Sequence, residues 1–152
     1  MKARVYLFIV ALVAVFTFAG CKKNNDEPAI DNTAKVVGEW HCATEEYDVD
    51  VYVAFSAEGT FDEYQRIGEG RYRHYNGTWT LNKDILSGVY SDGESWTTDY
   101  TVKYNKIADP KQISLTSTDN VGIYTATSIP DAVVDQATEA TTVRSVAIEK
   151  FL

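Results

Sequence analysis

The sequence predicts an all-β domain, an antiparallel meander of eight or nine strands closed into a barrel. Three observations point there. Glycine and turn dipeptides recur about every eight to twelve residues, with β-branched and aromatic residues between them, the rhythm of a sandwich or barrel. In several of those intervals apolar and polar residues alternate with a period of two, which gives each strand one face for a core. Outside one short segment near the end, no stretch carries a helical pattern of normal length. A meander of this many strands removes its exposed edges by closing on itself.

In chain order, Gly38–Thr44 is the first strand. In the second, Val49, Val51, Val53 and Phe55 alternate with Asp50, Tyr52 and Ala54. Ala57-Glu58-Gly59 turns the chain into Thr60–Ile67, and Gly68-Glu69-Gly70 turns it again. Residues 71–81 admit two readings, because Asn76-Gly77 is both a type I′ hairpin signal and a place where glycine can kink one long strand. The better-placed turn at Asn82-Lys83-Asp84 favours the long strand. Ile85–Tyr90 follows, then a hairpin turn centred on Asp92-Gly93. Trp96, Thr98, Tyr100, Val102 and Tyr104 alternate with Thr97, Asp99, Thr101 and Lys103, the clearest strand pattern in the chain. Asp109-Pro110 breaks it. Residues 112–117 and 121–127 are strands joined at Asp119-Asn120. Residues 129–140 form the one segment that admits a short helix, ahead of a last strand at 143–151.

A different kind of sequence precedes this domain. Met1-Lys2-Ala3-Arg4 is basic, residues 5–19 carry no charge, and Ala19-Gly20 is small, which is the pattern of a signal peptide. As a helix the apolar run reaches only about 23 Å, short of the ~30 Å hydrocarbon core that a stable span must cross. Phe18-Ala19-Gly20-Cys21 resembles the bacterial lipobox. That resemblance implies cleavage before Cys21 and acylation of its thiol, an anchor strengthened by every buried methylene. Residues 22–28 are polar and without apolar periodicity, as a flexible spacer should be. Residues 1–20 are therefore read as a lipoprotein signal peptide, 21–34 as an acylated cysteine and flexible tether, and 35–152 as the barrel domain. Lys22, following the cysteine, implies an outer-membrane destination. Asp26-Glu27 resembles the acidic export tag of surface lipoproteins in gut-type Bacteroidota, so the periplasmic and cell-surface faces both stay open.

Without the leader, 132 of the 152 residues remain, enough for one domain. The leader carries Lys2 and Arg4 and no acid, so its loss takes the formal charge from −8 to −10. An acidic domain is a poor partner for nucleic acid and for an anionic membrane surface. With Cys21 committed to the anchor, Cys42 has no partner for a disulfide. The fold must rest on an ordinary core, in which Cys42 is expected as a small buried hydrophobe.

Two short motifs carry a wider resemblance. Gly38-Glu39-Trp40 matches the Gly-x-Trp of the first strand of lipocalin-like domains, and Gly77-Thr78-Trp79-Thr80-Leu81 resembles one of their middle strands. Together with eight strands, a short helix and a ninth strand, residues 35–152 resemble the lipocalin-like domains of small bacterial outer-membrane lipoproteins, many of them from Bacteroidota. The resemblance implies a lipocalin-like barrel with Trp40 and Trp79 at structural core positions.

Chemistry-bearing residues are few. His41 and Cys42 are neighbours on a strand and point to opposite faces, so they form no dyad. Two histidines, His41 and His74, and one free cysteine are a poor ligand set for zinc. Asp48 and Asp50 share a strand face near Glu45-Glu46. They read as a solvated acidic edge, because the calcium-loop pattern of alternate acids around a glycine is missing. Asp62, Glu63, Asp92 and Glu94 lie near turns, with nothing pairing two of them across a cleft as glycoside hydrolysis requires. No metal, no cofactor and no enzymatic activity are expected. The remaining signal is aromatic: ten tyrosines, and three tryptophans on three strands, side chains with an apolar body and a polar tip. An eight-stranded barrel holds either packed side chains or one small ligand. The expectation is a lipid-anchored, non-enzymatic protein that binds a small apolar molecule or a glycan in or at the barrel mouth. Tyr100, Tyr104, Trp96 and Tyr52 are its expected contacts, inside a rim formed by loops 45–48, 68–70 and 91–94. The competing expectation is a filled barrel that meets a protein partner in the envelope, as an accessory subunit or an enzyme inhibitor.

Overall fold

A computed structural model of the chain describes residues 33–44, 48–105, 107–139 and 152. Eight antiparallel strands run in sequence order: β1 (Gly38–Thr44), β2 (Val49–Phe55), β3 (Thr60–Ile67), β4 (Arg73–Asn82), β5 (Ile85–Tyr90), β6 (Tyr100–Asn105), β7 (Gln112–Thr116) and β8 (Val121–Ala126). Each pairs with the next, and β8 returns to β1 through Trp40↔Ala126 and His41↔Thr125. The eight strands thus close into a barrel. A short helix, α1 (Thr33–Val36), precedes them, and α2 (Asp131–Gln136) and the two-residue β9 (Thr138–Glu139) follow.

Alternation decides what fills the barrel. On β2, Val49, Val51, Val53 and Phe55 are buried while Asp50, Tyr52 and Ala54 are not. On β3 the inward set is Phe61, Glu63 and Gln65, so a carboxyl and an amide share the lumen with apolar side chains. A slip of one residue would reverse both sets, which is why register is strongly specified here.

The meander places the β1–β2, β3–β4, β5–β6 and β7–β8 connections at one end, the mouth, and the others at the floor. The floor is closed by α1. Val36 is fully buried, and its carbonyl accepts the Trp40 indole N–H at 2.7 Å. Trp79 is tied down in the same manner, donating to the Thr60 carbonyl at 3.0 Å. The single long strand is present as β4, running unbroken through Gly77, which leaves room for Phe61, whose Cε1 would lie 2.8 Å from a Cβ placed there. Cys42 is a free thiol buried in the lumen wall, and burial raises its pKa. His41 beside it faces out.

Two expectations need correction. The alternating run from Trp96 to Tyr104 is a strand only from Tyr100 onward. Trp96 instead enters the lumen from the β5–β6 connection: its backbone N–H donates to the Gly88 carbonyl at 3.0 Å, and its indole lies where a Cβ on Gly88 would have to be. A period of two cannot distinguish a strand from a connection folded back onto a glycine. At the other end of the domain, the helix begins at Thr33, inside the stretch read as tether.

The short helix expected within 129–140 is α2. The chain around it crosses the outside of the barrel, tied to β1 where Ile129 N–H donates to Glu39 Oε2 at 2.8 Å. At its far end Thr138 N–H donates to the Tyr72 carbonyl at 2.9 Å. β9 then pairs in parallel with β4, Arg73↔Thr138 and His74↔Glu139. The signal peptide, Cys21, Glu45-Glu46 and the last strand at 143–151 lie outside the described residues.

Candidate functional site

The lumen changes character from floor to mouth. Toward the floor, the core cluster is made of Trp40, Val53, Phe55, Phe61, Trp79, Leu86 and Val102, with Phe55 and Trp79 edge to face at 5.4 Å. Toward the mouth, Glu63 and Gln65 are buried beside Tyr75, Tyr90, Tyr100 and Tyr124. The Tyr90 hydroxyl stands 3.1 Å from the backbone oxygen of Leu152 and 3.4 Å from Glu63 Oε2. With a single proton it bonds best to the nearer oxygen. Burial, reinforced by the Glu63 charge, pushes the Tyr90 pKa far up, so the hydroxyl remains a donor at every working pH. Burial raises Tyr100 and Tyr124 as well. A void of about 20 Å³ lined by Tyr100, Leu115, Asn120, Gly122 and Tyr124 has room for about one water.

The wall opens beside this polar half. β5 ends at Tyr90, opposite Gly77, and after one further bond, Ser91 N–H to the Asn76 carbonyl at 2.8 Å, β4 loses that neighbour toward the mouth. β9 replaces it only at Arg73 and His74. The gap is a cleft of about 270 Å³ lined by His74, Tyr75, Asn76, Tyr90, Ser91, Asp92 and Glu139. It joins the outer wall, through His74 and Glu139, to two lumen tyrosines.

His74 is bracketed at this opening. Its Nε2 lies 2.7 Å from Asp62 Oδ1 and its Nδ1 2.8 Å from Glu139 Oε1. Ionised carboxylates only accept, so both nitrogens donate and the ring is an imidazolium. Burial works to lower the His74 pKa, but the bonds to Glu139 and Asp62 outweigh it and the net shift is upward. The ring stacks on Tyr64 at 4.7 Å. Farther round the outer wall, Asp50 accepts from His41 at 2.7 Å, Arg66 at 3.0 Å and Tyr72 at 2.6 Å. Burial pulls the Asp50 pKa up, yet these three bonds hold it below the usual carboxylate range. The same contact, after burial, pushes Tyr72 up to about 12. Asp50 is therefore the centre of a hydrogen-bonded network and not part of a solvated acidic edge. Among the described residues, no three His, Cys, Asp or Glu side chains converge as metal ligands would.

The four tyrosine and tryptophan contacts expected from the sequence do not form one set. Tyr100 is buried at the mouth, and Trp96 packs edge-on to it at 6.1 Å. Among the described residues the buried Trp96 Nε1 has no hydrogen-bond partner. Tyr104 lies toward the floor, its ring 5.0 Å from Lys35 Nζ, and burial raises its pKa to about 12. Tyr52 faces out and stacks on His41 at 4.2 Å. It is excluded from the lumen because Val51 and Val53 beside it hold the inward face. Glu63, read as a charge near a turn, sits in the middle of β3 with no exposure. The signal for it was available: Glu63 and Gln65 follow Phe61 at intervals of two.

Residues 30–108 match the family model described as a lipocalin-like domain, a span running through β6 and just beyond. The chain belongs to the lipocalin-like domain family. Comparison with curated proteins and with solved structures gave no significant match. The closed barrel of the lipocalin-like domain is in general an architecture for holding a ligand. The matched span includes Glu63, Tyr75 and Tyr90 but not β7, β8, β9 or Leu152.

Proposed function

We propose that this protein is a non-catalytic, lipid-anchored binding protein of the cell envelope, and that it takes a small glycan unit at the barrel mouth. The observation that carries the reading is the cleft between β4 and β5. Its volume of about 270 Å³ suits a sugar-sized ligand, near the lower end of ligand sites at roughly 300 Å³. Its lining brings two tyrosines, Tyr75 and Tyr90, together with Asn76, Ser91, Asp92 and Glu139. Those groups match a ring that is apolar on its faces and hydroxylated at its rim. The filled floor argues against an apolar molecule running the full length of the lumen.

Ligand-observed NMR with a panel of mono- and disaccharides tests this. Wild type is expected to bind at least one, Asn76→Ala and Asp92→Asn to weaken it at least tenfold, and Tyr104→Ala to leave it unchanged. Binding untouched by the cleft variants would remove the cleft from the site. Anchoring through Cys21, on the periplasmic or cell-surface side of the outer membrane, belongs to the same reading. Cys21→Ser should move the protein out of the membrane fraction.

A second reading, a filled barrel with a protein partner, has its own observation. Val121 and Ile123 lie on the outer face of β8 with 58% and 59% exposure. Ile123 lines a groove of about 350 Å³ together with Lys103 and Ser114. A stoichiometric envelope partner lost from Ile123→Glu would favour it.

A further inference from the structure

We propose that Leu152 is the resident occupant of a second compartment behind the mouth cleft. That compartment takes an aliphatic group of leucine's size joined to a carbonyl or carboxylate oxygen. The inference rests on the proposed mouth site only in that the two compartments share Tyr90.

Leu152 belongs to no strand or helix, yet it has no exposure and packs in the same cluster as Tyr90, Tyr100 and Tyr124. Among the described residues, Leu152 is contacted by this side-chain packing and by the Tyr90 O–H donated to its backbone oxygen at 3.1 Å. The donor is preorganised. Phe61 and Tyr75 hold the Tyr90 ring edge to face at 5.6 Å and 5.9 Å, and burial keeps the hydroxyl protonated. Tyr90 also lines the cleft, so the two compartments meet at this residue. The proposed ligand has its polar part in the cleft and an acyl group in the place that Leu152 takes. The ligand class this describes is a small polar unit carrying a short aliphatic acyl group. Its oxygen is an amide or ester carbonyl, or a free carboxylate; in each case it is the acceptor that Tyr90 already serves.

The test uses the full-length protein in detergent and two probes with the Leu152 skeleton, 4-methylpentanamide and 4-methylpentanoate, titrated by calorimetry. Leu152→Ala should bind at least one probe tenfold or more tightly than wild type. The amide will lead if the oxygen must be neutral, the carboxylate if an anion is accepted. Adding Tyr90→Phe to Leu152→Ala should remove at least fivefold of that gain. Equal affinity of wild type and Leu152→Ala for both probes overturns the proposal. If wild type still binds a saccharide in that case, the mouth site stands and only the Leu152 compartment falls. Gained probe binding with no saccharide bound keeps the compartment and removes the sugar. Should Leu152→Ala fail to fold, nuclear Overhauser contacts between the Leu152 methyls and the Tyr90 ring in wild type decide. Their loss on adding probe supports displacement, and their persistence at the highest probe concentration overturns it.

Discussion

At the floor of the barrel, Trp40 and Trp79 give their indole N–H groups to backbone carbonyls at 2.7 and 3.0 Å, and the rest of the packing is carbon against carbon. At the mouth, within the same eight strands, Glu63, Gln65 and four tyrosines are buried together. Apolar burial contributes about 1.5–3 kcal/mol for each large side chain, whereas a buried polar group costs about 1–3 kcal/mol where hydrogen bonds do not compensate it. A barrel built only for stability would continue the floor's composition upward. That β3 places Glu63 and Gln65 where the floor has Phe61 shows that the mouth is constrained by something besides packing.

The largest test of this division is truncation at the floor. Trp79→Ala should cost about 3–5 kcal/mol, the range for a large aromatic removed from a packed core. Urea denaturation measures it. At the mouth, Tyr90→Phe removes one hydroxyl and leaves the ring, so its cost should be about 1 kcal/mol. If the two variants lost equal stability, the floor and the mouth would not be energetically distinct.

Gly88 lies between these extremes. The Trp96 indole occupies the space that a side chain on Gly88 would need. Gly88→Ala must push the ring aside, and overpacking of this kind costs about 1–3 kcal/mol. Trp96 fluorescence should shift as the ring leaves its buried position. An unchanged spectrum together with unchanged stability would show that Trp96 moves at no cost.

The strands were legible in the sequence because their signal is local. Val49–Phe55 alternates and Thr60–Ile67 lies between two glycine turns, and both fold with those bounds. Trp96 misled because it stands on the period of two that Tyr100, Val102 and Tyr104 continue, although residues 96–99 form no strand. The indole's true partner, Gly88, is a residue whose importance lies in having no side chain. The cleft was not legible, since it depends on β5 ending opposite Gly77 while β4 continues. That is a difference in strand length, fixed by pairing across the sheet. The outer-wall networks were hidden for the same reason. Asp50 meets Arg66 only because the β2–β3 register places them opposite, and His74 meets Glu139 only through the β4–β9 pair. Glu63 was legible by period and was misread by its charge.

The smallest predicted effect lies where the cleft meets the outer wall. His74 holds β9 to β4 through Glu139, and its side chain is 15% exposed while Asp62 and Glu139 are 50% and 71% exposed. Solvent screening keeps such a bracket to about 0.5–1 kcal/mol. The groups facing the ring are Asp62 and Tyr64 from β3 and Glu139 from β9, with Arg73 its neighbour on β4. Because the folded pKa is raised above the ordinary value of 6.5, the stabilisation is fully present below about pH 6.5. It is lost as pH rises through the folded value. His74→Gln should therefore be less stable than wild type at pH 5.5, with the difference shrinking as pH rises through the folded value. Hydrogen exchange at the Thr138 amide, which donates to the Tyr72 carbonyl, reports the same bracket locally and should quicken in wild type over that pH rise beyond the intrinsic rate. A stability gap that widened with pH would mean the bracket holds a neutral ring, and the cleft's outer rim would then lack the positive charge assigned to it.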